Sequence, residues 1–198
     1  MLFNRCPALL LALAVSASPA VALEPCDPAD IVLSDRDKAR LADLETSRVR
    51  GLAAALAAEH PGDQATVSEL YSEGLAPLGE LPSGAYQCRT IKLGGITPLV
   101  VYDFFTCEIA ETGAGYEILK TSGSQRLSGE LKASGDGLLY RGALHYSDEQ
   151  PRAYAGKGDR DQVGCLFRAR EGENTYVLEL PDPVFESFHD VLVLIPAD

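Results

Sequence analysis

Positive charge is scarce in this chain: 17 Lys and Arg stand against 29 Asp and Glu in 198 residues. Such a surface repels nucleic-acid phosphates and anionic lipid, so neither is expected as a partner. There is no C-x-x-C pair and no H-E-x-x-H helix, which leaves no ligand spacing for a metal. G-x-G-x-x-G and P-loop signatures are missing, which removes support for a nucleotide cofactor. Neither a G-x-S-x-G elbow nor a Ser-x-x-Lys pair occurs, so the common serine-enzyme signatures fail as well. The expectation is a protein with no metal and no cofactor, and more readily a binder than an enzyme.

What is present begins at the N-terminus. Arg5 precedes the apolar run Ala8 to Val15, and Ala20-Val21-Ala22 supplies a small-x-small cleavage pattern. The run is too short to span a bilayer. Residues 1–22 therefore read as a signal peptide, cut after Ala22 or alternatively after Ala20, with no membrane insertion afterwards. Leu23-Glu24-Pro25 lacks the small residues that precede a lipidated cysteine. Cleavage would remove one cation and no carboxylate, moving the formal charge from −12 to −13. The expected location is periplasmic or secreted. Four cysteines remain there, Cys26, Cys88, Cys107 and Cys165, an even number that reads as two disulfides.

The chain then changes character once, at a Pro- and Gly-rich stretch around Pro77 to Gly84. Residues 23–80 are expected to be mainly helical. One helix is predicted over about 35–58, capped by Ser34 with Asp37, with Leu41, Leu44, Leu52, Ala55 and Leu56 on its apolar face. A second is predicted over about 64–75, capped by Asp63. Residues 81–198 show short apolar segments between Gly-rich turns. Strands are predicted at about 85–93, 99–110, 116–122, 125–133, 138–147, 161–170, 175–180 and 190–195. Eight antiparallel strands suffice to close a small barrel. The fold class is thus α+β: a short helical segment packed on a lipocalin-like antiparallel β-barrel, or on a strongly curved sheet.

The first two strands offer a register. If Cys88 faces Cys107, Lys92 opposes Asp103, Tyr86 opposes Ile109, Ile91 opposes Phe104 and Leu93 opposes Tyr102, all favourable pairs. Tyr86, Cys88, Thr90, Phe105 and Ile109 would then share one face. Cys26 is left to pair with Cys165. The competing connectivity joins Cys88 to Cys165 across the barrel.

For a ligand, the stretch from Lys120 to Arg126 is the most suggestive, because a Gly-centred turn with flanking cations can aim positive charge at an anion. Its residues are also those of an ordinary β-hairpin turn between the third and fourth strands, the reading that the sequence by itself favours. Lys120, Ser124, Gln125 and Arg126 are the candidate ligand-binding residues, with Tyr86 and Tyr140 as apolar walls. Of three histidines, His189 beside Asp190 is the one that could serve a hydrolase, provided a serine lies within reach.

Three segments resemble the proteobacterial domain-of-unknown-function 4893 family: Tyr86 to Gly94, Tyr102 to Cys107, and Gly123 to Gly129. Val163-Gly164 and Glu186-Ser187 with Asp190 fit the same pattern. The resemblance spans roughly residue 30 to the end and implies a secreted protein without an assigned activity. The functional expectation is an exported, disulfide-bonded protein that binds a small molecule in the barrel mouth. The alternatives are a protein-interaction or inhibitor module that uses the barrel as a scaffold, with its partner on the rim, and a hydrolase using His189 and Asp190.

Overall fold

The structure, a computed structural model, describes residues 23–28, 31–172 and 174–197; the expected signal peptide, residues 1–22, lies outside them. Helix α1 (Asp35–Ala42) starts as its cap predicts. Asp37 N–H donates to Ser34 Oγ at 3.2 Å, and the Ser34 hydroxyl donates back to Asp37 Oδ2 at 2.7 Å. The single long helix expected here is instead two. Asp43 ends α1, its N–H shared between the carbonyls of Ala39 and Arg40, and α2 runs Leu44–Ala55. Helix α3 (Pro61–Tyr71) begins earlier than expected, with Pro61 at the first turn, where its missing N–H costs nothing. Leu75 is not helical but opens a two-residue strand, β1 (Leu75–Ala76).

Of the apolar face expected for the long helix, Leu41, Leu44 and Ala55 are buried and Leu52 packs against the outer core, while Leu56 turns to solvent. Helix α2 buries Leu44, Ser47, Gly51 and Ala55, while Leu56 is exposed. Small residues face the sheet because the helix approaches it closely. A Cβ at Gly51 would lie 2.8 Å from Leu93 Cβ.

Eight strands follow: β2 (Gly84–Leu93), β3 (Leu99–Thr112), β4 (Gly115–Lys120), β5 (Gln125–Ser134), β6 (Gly137–Tyr146), β7 (Asp161–Ala169), β8 (Tyr176–Pro181) and β9 (His189–Pro196). Each falls within two residues of its predicted span. All pair antiparallel with their sequence neighbours, and β9 returns to pair with β2, closing the barrel. Strand β1 adds to β7 through Leu75 and Ala169.

Strand alternation sorts the buried residues into two cores. Tyr86, Cys88, Ile118, Leu131, Tyr140, Leu166, Leu178 and Leu192 fill the interior. Ile91, Leu93, Val163, Phe167, Val177 and Val191 face outward under Leu41, Leu44 and Ala55 of the helices. The interior is solid where Tyr140 lies. Its ring packs over Gly129 and Gly142, which pair across β5 and β6, and a Cβ at either would come within 2.6 Å of the ring.

Both disulfides of the first connectivity form, Cys88–Cys107 and Cys26–Cys165, with Cα separations of 5.8 and 5.9 Å. The register behind the first differs from the expected one. Cys107 lies opposite Tyr86, and Cys88 lies opposite Phe105, so the bridge is diagonal. A two-residue offset keeps every side chain on its face, which is why the predicted inner face survives. A bulge opposite Thr90 then shifts the pairing again, placing Lys92 across from Val100 and, on the other side, from Asp190. The predicted pairing of Lys92 with Asp103 is not made.

The Pro77–Gly84 stretch expected as a linker is a plug. Leu78 and Leu81 are buried with Tyr86 and Tyr176 at the lower end of the interior. The hydroxyl of Tyr176 donates to the Glu80 carbonyl at 2.9 Å, and that of Tyr86 donates to the Pro82 carbonyl. One end of the barrel is therefore shut.

Candidate ligand site at the barrel mouth

At the open end the inner faces turn from apolar to polar. Strand β2 presents Tyr86 and Cys88 deep in the barrel, then Thr90 and Lys92 at the rim. The neighbouring strands bring Lys120, Gln125, Gln162 and Asp190 to the same level, each at the upper end of its strand. Two recesses share Thr90, Lys92, Lys120 and Gln125. The outer one, bordered also by Phe105 and Ser124, measures about 80 Å³. The inner one, about 30 Å³, reaches Gln162 and Asp190 among Leu127, Leu144 and Leu192. At roughly 10–15 Å³ for each water-sized atom, the outer recess accepts about six non-hydrogen atoms. A drug-sized ligand needs about 300 Å³ or more, so neither recess holds one.

Two lysines at this level have opposite surroundings. Lys92 pairs with Glu186 and donates to Gln125 Oε1 at 3.1 Å, with Asp190 alongside. Burial alone would lower it, but Asp190 and Glu186 outweigh that and raise it above the usual lysine value. Lys120 has no carboxylate within ion-pair distance among the described residues. It is 4% exposed, donates to the carbonyls of Ser122 at 3.0 Å and Gln125 at 2.7 Å, and lies 3.9 Å over the Phe105 ring. Burial, with Arg126 adding repulsion, pushes it down to about 8. Asp190 is shifted the other way: burial raises it, against the pull of Lys92 and a hydrogen bond from Ser187.

Of the residues selected from sequence, Lys120, Ser124 and Gln125 come together at the outer recess. Arg126 borders the inner one, yet its side chain turns back to donate to the Gly123 carbonyl at 3.0 Å. Tyr86 and Tyr140 border neither recess. Tyr86 closes the lower end, and Tyr140 fills the middle while donating to the Ser128 carbonyl at 3.2 Å. Sequence reasoning passed over Thr90, Lys92 and Gln162. The available signal was alternation: once Cys88 is set facing inward, Thr90 and Lys92 must follow at intervals of two.

His189 and Asp190 face opposite ways. Asp190 points into the barrel, and His189 points outward under the helices. There His189 Nδ1 lies 3.0 Å from Ser47 Oγ and Nε2 lies 3.5 Å from Glu179 Oε1. This has the composition of a nucleophile, base and acid, but all three residues are completely buried. The Ser47 hydroxyl is also 2.8 Å from the Phe188 carbonyl and receives the Asp182 N–H at 3.2 Å. Glu179 is held by Arg48 through both oxygens and by the Tyr71 hydroxyl at 3.0 Å. Burial opposes its charge, but His189 and Arg48 prevail and hold its carboxyl down to about 2. No substrate can reach Ser47 while the helices cover it, and this cluster fastens α2 and α3 to the barrel.

Two disulfides are compatible with an exported protein. No helix among the described residues is long and apolar enough to cross a membrane. Among those residues no group of three or more His, Cys, Asp or Glu could hold a metal ion. No curated protein and no solved structure matches the chain. A family model described as Domain of unknown function (DUF4893) matches residues 30–194, which include the closed barrel nearly to its last residue and all the polar residues at its mouth. The chain belongs to the DUF4893 family.

Proposed function

We propose that this is an exported, non-catalytic binding protein that holds the acidic group of a small ligand in the outer recess of the barrel mouth. The observation that carries this reading is Lys120, a buried ammonium that faces a recess and has only neutral acceptors around it. An incoming carboxylate would supply the missing counter-charge. Because burial lowers Lys120 to about 8, an anion that favours the ammonium form binds with proton uptake near that pH. Affinity therefore falls as pH rises through 8.

Calorimetric titration with acetate tests this between pH 6.5 and 9. The expected result is saturable binding that weakens above about pH 8 and is lost in Lys120→Met, with the circular-dichroism spectrum unchanged. Acetate binding equally well to Lys120→Met, or not at all to the native chain, would overturn the proposal.

The rim supports a second reading, a protein partner. Ile96 is 82% exposed, with Val184 and Phe185 on the adjacent loop, joined by the Ile96 N–H to the Glu186 carbonyl at 2.9 Å. In that case Ile96→Ser with Phe185→Ser abolishes association with the partner and leaves acetate binding intact.

A further inference from the structure

We propose that the ligand of the mouth is a small zwitterion of the α-amino-acid type, its carboxylate against Lys120 and its ammonium group in the inner recess at Gln162 and Asp190. This rests on the reading of the mouth as a binding site and specifies what fills it.

Gln162 provides the first argument. It lies on the inner face of β7, is 7% exposed and borders the inner recess. Its Oε1 is buried without a hydrogen-bond partner among the described residues. An unsatisfied buried acceptor is costly, so a donor belongs opposite it. The inner recess has room for about two atoms the size of water, enough for an ammonium nitrogen or for solvent.

Asp190 decides between them. It is 7% exposed, borders the same recess and forms no ion pair within 4 Å among the described residues. Its neighbour Lys92 is one cation between two carboxylates, since it also pairs with Glu186. Burial keeps the Asp190 carboxyl reluctant to ionise, a penalty that a full positive charge relieves more than a water molecule does. Lys120 lacks an anion, Asp190 shares its one cation with Glu186, and Gln162 lacks a donor. The two recesses lie against each other, sharing Thr90, Lys92, Lys120 and Gln125 as lining. A molecule with both charges and few atoms satisfies all three at once. The available room matches glycine or alanine and excludes long side chains inside the barrel.

The experiment is a calorimetric series on the full folded protein at pH 7: glycine and alanine against acetate, propionate, glycolate and methylamine. Glycine and alanine are expected to bind at least about tenfold more tightly than the other four. Gln162→Leu and Asp190→Asn should each remove that advantage and leave acetate binding in place. Acetate or glycolate matching glycine would overturn the zwitterion while the anion site at Lys120 stands. Failure of every compound to bind would overturn both. Should Asp190→Asn not fold, the ligand series on the native chain still decides.

Discussion

Ser47 Oγ and His189 Nδ1 approach to 3.0 Å across 142 residues of sequence, one from helix α2 and one from the first residue of β9. Neither is accessible to solvent. The contact joins the helical layer to the barrel, and its neighbours are structural: the Phe188 carbonyl, the Asp182 N–H and the Arg48–Glu179 ion pair.

A fluorophosphonate probe should therefore leave Ser47 unlabelled in the folded protein, as intact mass spectrometry would show. Ser47→Ala should lower stability by about 1–3 kcal/mol, because buried polar groups lose their partner. Labelling of native Ser47 would mean that the helices open far enough to admit substrate.

Acid should loosen the same cluster. The Glu179 carboxyl titrates near 2 in the folded chain against an ordinary 4.5. A lowered value stabilises the fold above the unfolded-state pKa, and that stability is lost as pH falls from about 4.5 towards 2. The loss is on the order of 3 kcal/mol. Urea titrations at pH 7, 4 and 3 should show it. In Glu179→Gln, stability at pH 7 should drop by about 3 kcal/mol, because Arg48 loses its buried partner and keeps only the exposed Glu45. The further decline in acid should then be smaller.

Gly51 gives a test of close packing. Replacing an exposed helical Gly by Ala stabilises by about 1 kcal/mol. Here the new Cβ would lie 2.8 Å from Leu93 Cβ and 3.1 Å from His189 Cβ. Overpacking costs about 1–3 kcal/mol, so the clash outweighs the helix preference. Gly51→Ala should unfold at lower urea concentration than the native chain; a rise would show that α2 can lift off the sheet without cost.

The disulfides should differ in worth. Cys26–Cys165 closes a span of 139 residues and Cys88–Cys107 a span of 19. Chain entropy assigns them about 5 and about 3 kcal/mol. Cys26→Ser with Cys165→Ser should therefore lower the urea midpoint more than Cys88→Ser with Cys107→Ser. The reverse order would indicate that removing Cys88 and Cys107 opens a cavity in the barrel interior that costs more than the shorter loop.

The strands were legible because inward and outward residues alternate, and turns such as Gly94-Gly95 and Gly135-Asp136-Gly137 mark where the chain reverses. Cys88 and Cys107 were correctly joined through a mistaken register, since a shift of two positions leaves the facing unchanged. The bulge opposite Thr90 has no such signal. The helical face was legible except at its end: Leu41, Leu44 and Ala55 are buried, but Leu56 caps α2 and is exposed. The apolar pattern could not show that close approach to the sheet also selects Ser47 and Gly51 for their small size. Of the mouth, the Lys120–Gln125 segment was visible as a local pattern. Gln162 and Asp190 come from strands far apart in sequence, and only the closed wall brings them to one level.

The segment carrying Leu78 and Leu81 makes the barrel a blind well. Whatever enters must leave by the same opening, and nothing can be threaded through. A guest attached to something larger can thus be gripped by its end alone, with the remainder trailing into solvent. A well of this shape would distinguish termini from interiors.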